Sequence, residues 1–171
     1  MGSCSSSDII VPNDKNTLLT TNEVISLRNS WREIVHQGED TFALNFMLQL
    51  FKNYPNLKHF WWFLQEVETE DDLKKNPNAV SHGQKLFNAI DKVIYSLEDL
   101  NTCCNILIDL GELHFKKGIT EEHFQPIEET LIETLAIGLG KSFDIKIQNT
   151  WRKFLAFIEY QMKIGFYKNK N

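Results

Sequence analysis

The chain has 171 residues and a formal charge of −5, with 42% hydrophobic and 24% charged residues. That length suits one domain with one sizeable core, and the composition excludes an intrinsically disordered chain. There is no lysine- or arginine-rich stripe, which argues against nucleic acid as a partner, and no apolar run reads as a membrane span or a secretory signal.

Three cysteines occur, and Cys103 and Cys104 are neighbours. Adjacent cysteines bridge only with strain, so no disulfide framework is expected. This usage fits a reducing, intracellular compartment best.

Residues 1–19 read as a flexible tail. Ser3, Ser5, Ser6 and Ser7 are polar, Pro12 and Asn13 break regular structure, and no apolar period emerges. From residue 20 one globular domain runs to residue 171. Its first helix begins at a capping box, Thr20 with Glu23, and presents Val24, Leu27, Trp31 and Ile34 at steps of three and four. A second helix is predicted over residues 40–54, with Phe42, Phe46, Leu50 and Phe51 inward. Pro55 then opens a short helical turn, since proline suits the first turn of a helix. The acidic, aperiodic stretch 63–75 is expected to be a connecting loop with room for a helical turn.

Asn76 and Pro77 supply an N-cap and a first helical residue. The helix they open lines up Ala79, His82, Gly83, Leu86, Phe87, Ile90 and Ile94 on one face. Another helix covers residues 99–116 and stops at Gly118. Two long helices follow over residues 121–139 and 143–167, separated around Gly138, Gly140 and Lys141. Roughly seven helices, several short connections, no heptads and no convincing strand make the chain all-α.

Two histidines stand out. His114 continues the stripe Leu100, Cys103, Leu107, Leu110, so its imidazole lies on the buried face of its helix. His82 falls between Ala79 and Leu86 on the inward face of another. A buried imidazole needs a partner, and a satisfied core histidine is one reading of each. The other reading is a ligand pair, because neutral imidazole suits iron, copper or zinc. No carboxylates converge there, which excludes a hard cation. Zinc usually takes three or four closely spaced side chains, whereas haem needs one or two, its porphyrin supplying four nitrogens.

The residues around these histidines carry a family resemblance. The segment from Asn76 through His82-Gly83 to Leu86 resembles the distal helix of the globins. Leu110-Gly111-Glu112-Leu113-His114 resembles their proximal helix. The spacing from 82 to 114 is similar to that of neuroglobin-like members. Trp31, Leu50-Phe51 before Pro55, Gly118-Ile119, Phe124 and Trp151 extend the likeness over residues 20–167.

The resemblance implies a three-over-three helical sandwich around haem b. It implies His114 as the proximal iron ligand. His82 is then the distal residue, either ligating iron or donating a hydrogen bond to bound gas. Met47 and Leu86 would face the distal pocket, Ile119 and Phe124 would contact haem, and Lys85 would reach a propionate. The pattern departs at the haem-stacking phenylalanine. The count from Pro55 gives Trp61, and Phe60 stands one residue earlier; Phe60 is slightly preferred.

The chain opens Met1-Gly2-Ser3-Cys4-Ser5-Ser6, which fits the N-myristoylation pattern with Ser6 in its last place. Cys4 is placed for palmitoylation. One myristoyl chain binds membranes only marginally, with a constant of about 10⁴ M⁻¹, so Cys4 would supply the second anchor. This start is similar to globin X and to certain acylated nematode globins. The expectation is a lipid-anchored haem protein on the cytoplasmic side of a membrane, in redox or gas signalling. Its partners would be oxygen or another diatomic gas and an unidentified electron donor or acceptor. Electron transfer, nitrite reduction or NO dioxygenation would be its redox chemistry. The alternatives are a five-coordinate oxygen-storing globin and a haem-free interaction module. Cys103 and Cys104 are expected to be small packing residues and not a redox switch.

Overall fold

The computed structural model describes residues 8–9 and 19–168. Among them, seven α-helices carry the fold: α1 Thr21–Gln37, α2 Glu39–Asn53, α3 Glu70–Lys75, α4 Pro77–Ser96, α5 Leu100–Lys116, α6 Phe124–Leu139 and α7 Ile145–Tyr167. Single 3₁₀ turns lie at Trp62–Leu64, Glu121–His123 and Gly140–Ser142, and a longer one at Pro55–Phe60. The strand content of these residues is one antiparallel ladder, β1 (Asp8–Ile9) against β2 (Leu19–Thr20), with Asp8 opposite Thr20. Leu19 is fully buried and belongs to the core.

Local chemistry explains most boundaries. Thr20 Oγ1 accepts from the Glu23 amide at 3.3 Å, and the Glu23 carboxylate accepts from the Thr20 amide at 2.8 Å. This closes the capping box that starts α1. Asn76 Oδ1 accepts from the amides of Asn78 and Ala79, with Pro77 as the first residue of α4. The expected 63–75 loop holds more structure than its pattern suggested. Thr69 and Asp72 form a second capping box and nucleate α3, which is too short to show a period. Gly138, expected between helices, lies inside α6, and the chain turns at Gly140 instead.

Helices α1, α4 and α5 lie over α2, α6 and α7. The closest pairings are α5 on α7 and α2 on both α4 and α6. Two tryptophans fasten the layers. Trp31 is fully buried and donates from Nε1 to Asp91 Oδ1 at 2.8 Å, joining α1 to α4. Trp151 donates to Ser30 Oγ at 3.0 Å, joining α7 to α1. The two rings sit 5.9 Å apart. Full burial of side chains this large contributes about 1.5–3 kcal/mol each, and each polar edge is satisfied.

Two helix crossings need glycine. On α4, a Cβ at Gly83 would stand 2.7 Å from the Cβ and carbonyl of Ala43 on α2. Between α5 and α7 the requirement is reciprocal. A Cβ at Gly111 would stand 2.7 Å from the Met162 backbone, and one at Gly165 would stand 2.7 Å from the Glu112 amide. The obstacles are backbone atoms, which no rotamer change can move. The helix that carries His114 is therefore seated directly on the backbone of α7.

Candidate functional site

His114 stands half-buried near the end of α5. Its Nδ1–H donates to the Leu110 carbonyl, one turn back, at 2.8 Å. That bond fixes the tautomer and leaves the Nε2 lone pair free, the arrangement a ligating histidine needs. The chain then turns sharply. The Ile119 amide donates to the His114 carbonyl at 3.1 Å and the Gly118 amide to Phe115 at 2.9 Å, with Gly118 at φ +85°. This is a Schellman closure, and it anchors the backbone of His114 as well as its ring.

His82 stands on α4, near enough to His114 for the two imidazoles to interact electrostatically. Burial is the main cause that pushes its imidazole down to about 4, with the charges of His114 and then Lys85 adding to it. His82 is therefore neutral at pH 7, with a nitrogen lone pair to offer. Its ring is half-buried and strongly desolvated. Among the described residues no hydrogen bond holds the His82 ring. Its ring contact is with Trp61, edge to face at 5.1 Å.

The aromatic corner before α3 divides its work. Trp61 has extended backbone between two 3₁₀ turns, so it and Phe60 point different ways. Trp61 turns to His82 and to buried Phe51, 5.5 Å away. Phe60 turns to His123 at 4.8 Å and His59 at 4.1 Å, and lies beside Gly118 just after the proximal segment. The structure thus brings Trp61, and not Phe60, against His82. His59 and His123 were not anticipated in this cluster; nothing in their spacing links residue 59 to residue 123. The corner is tied down by Tyr54, whose hydroxyl donates to Glu129 on α6, and by Asn53, which donates to Glu133 at 2.6 Å.

Of the other expected site residues, Met47 is completely buried on α2 and Leu86 is half-buried against the core. Ile119 is half-buried in the turn that closes on His114, and Lys85 is exposed beside His82. Phe124 stacks on Phe166 of α7 at 5.4 Å, with the Lys163 ammonium 5.7 Å from its ring centre. Its described ring contacts run to α7 and not to either histidine. Gly2 and Cys4 lie outside the described residues. Cys103 is fully buried and Cys104 partly so, and burial pushes both thiols up. Neither is an activated thiolate at neutral pH.

These positions suit haem. One imidazole has a locked tautomer and a free Nε2, and a second is neutral, free of hydrogen bonds among the described residues and set against the Trp61 ring. No group of three or more metal-binding side chains occurs among the described residues, so a protein-only metal cage does not compete. An all-helical sandwich that brings two such histidines near each other defines the class as a helical haem protein.

Comparison with known proteins makes this specific. The Globin family model matches residues 44–162, so the chain belongs to the globin family, and its cofactor is haem. Zebrafish (Danio rerio) cytoglobin-2 is 24% identical over 137 residues, spanning 80% of this chain and 76% of its own. Neuroglobin-1 of Oncorhynchus mykiss is 25% identical over 153 residues, 88% of this chain and 94% of its own. An anaerobic nitrite reductase of Brassica napus is 27% identical over 139 residues, 80% and 84% of the two chains. A crystal structure of a hexacoordinated heme protein from an anhydrobiotic tardigrade superposes with a TM-score of 0.80 at 18% identity, over 88% of this chain and 96% of the other. The likeness to that structure establishes the fold, and globin membership carries with it the binding of diatomic gases.

Proposed function

We propose that this globin rests with both His114 and His82 on its haem iron and serves redox or gas signalling. The observation that carries the reading is the pair of histidines: His114 with Nδ1 committed to Leu110, and His82 neutral, desolvated and near enough to interact with His114. Haem supplies an iron that exchanges single electrons and takes a diatomic gas. His114 and His82 would hold that iron, and His82 would compete with an incoming gas, which slows gas capture and favours electron exchange. Similarity to relatives named neuroglobin and nitrite reductase, and to a structure described as hexacoordinated, supports this reading over simple oxygen storage. Replacing His82 with leucine is then expected to convert the reduced, ligand-free spectrum to a five-coordinate one and to speed carbon monoxide binding at least tenfold. An unchanged spectrum would remove His82 from the iron.

The reading extends to location. Acylation of Gly2 and Cys4 would tether the protein to the cytoplasmic face of a membrane, where an electron donor or acceptor could meet it. Two acyl chains are enough for stable anchoring. No helix among the described residues is long and apolar enough to cross a membrane. Gly2→Ala is expected to abolish incorporation of a myristate analogue in cells and to move the protein from the membrane to the soluble fraction. Labelling that persists in the variant would contradict the assignment.

A further inference from the structure

Packing alone aims the His82 ring, since no hydrogen bond among the described residues holds it. The ring against it is Trp61, at 5.1 Å and an interplanar angle of 70°. Trp61 is itself held between two other rings, buried Phe51 at 5.5 Å and Phe60 at 6.3 Å, both at 81°. Phe51 belongs to α2 and is part of the core. A stack of rings anchored in the core therefore ends on the ring of His82.

We infer that Trp61 is a positioning residue that holds His82 over the pocket and sets how often the sixth iron position opens. The inference rests on the reading that His82 ligates iron. An edge-to-face pair favours the geometry in which it is made. His82 must give up that contact to swing away, so the contact slows its release without touching the iron. A phenylalanine at 61 keeps an aromatic ring in the stack, and an alanine removes it. No other ring contact of His82 among the described residues would substitute.

The test uses haem-loaded wild type, Trp61→Phe and Trp61→Ala. Each is reduced, mixed with rising carbon monoxide, and followed to the limiting rate, which reports His82 release. Trp61→Ala is expected to raise that rate between about two- and tenfold, the span an edge-to-face pair supplies. Trp61→Phe is expected to stay within twofold of wild type. Low-spin ferrous iron is diamagnetic, so proton NMR adds a structural readout. Wild type should show a cross-relaxation peak between the Trp61 indole and the His82 ring. If Trp61→Ala loses haem, Trp61→Leu takes its place in the comparison. An unchanged limiting rate, or no such peak, in a protein whose reduced spectrum is six-coordinate overturns the role of Trp61 alone. A five-coordinate reduced wild type overturns the bis-histidine reading and this inference with it.

Discussion

Substituting His114 with alanine is expected to abolish stable haem retention. Binding should fall by at least about 100-fold, because even loss of an outer-sphere partner of a metal ligand costs about 10- to 100-fold. Retention of the fold can be checked by far-UV circular dichroism, since the half-buried ring leaves few contacts behind. Glycine at the same position should permit rescue: added imidazole enters the gap and restores the Soret band. His82→Leu, by contrast, should keep haem. The asymmetry follows from anchoring. His114 is held by the Leu110 carbonyl and by a closed helix terminus, while His82 is held by packing. Equal haem loss in both variants would mean that the proximal assignment is wrong.

The second large effect is expected at Gly165→Ala. In an ordinary mid-helix position, glycine to alanine gains up to about 1 kcal/mol. Here the added methyl meets the Ile108 and Glu112 backbone of α5. Overpacking costs about 1–3 kcal/mol even where side chains can yield, and backbone yields less. The expected net result is a loss of about 3 kcal/mol or more, measured by denaturant unfolding of the haem-free protein. The proximal helix would be the element displaced, so haem affinity should fall in the same variant. A gain in stability would show that α5 and α7 do not meet at this crossing.

Much of the site was legible in the sequence because helical period reports faces. His114 follows Leu107 and Leu110 at helical steps, and His82 falls between Ala79 and Leu86, so each was placed on an inward face before any fold was known. Caps were legible for the same local reason: Thr20 with Glu23, and Asn76 with Pro77, need only neighbours within three residues. Helix α3 was legible only as a helical turn within a loop, because six residues cannot display a period, although Thr69 and Asp72 carried its cap.

The partners of Phe60 and Trp61 could not be read from their adjacency. The count from Pro55 lands on Trp61, the ring set against His82, whereas the neighbouring Phe60 reaches His123 from the end of the 3₁₀ segment. Extended backbone at Trp61 then sends consecutive rings to opposite partners. The Gly111–Gly165 seat was invisible for a different reason. It is a property of two helices meeting, and a lone glycine in a helical pattern does not say what approaches it. The Phe124–Phe166 stack was invisible for the same reason, since it joins residues far apart along the chain.

The most direct test of the central claim is the visible absorption spectrum of haem-loaded protein, reduced with dithionite and free of added gas. Coordination by His114 and His82 together predicts sharp, split visible bands. A single broad visible band would mean an open sixth position, contradicting the bis-histidine resting state.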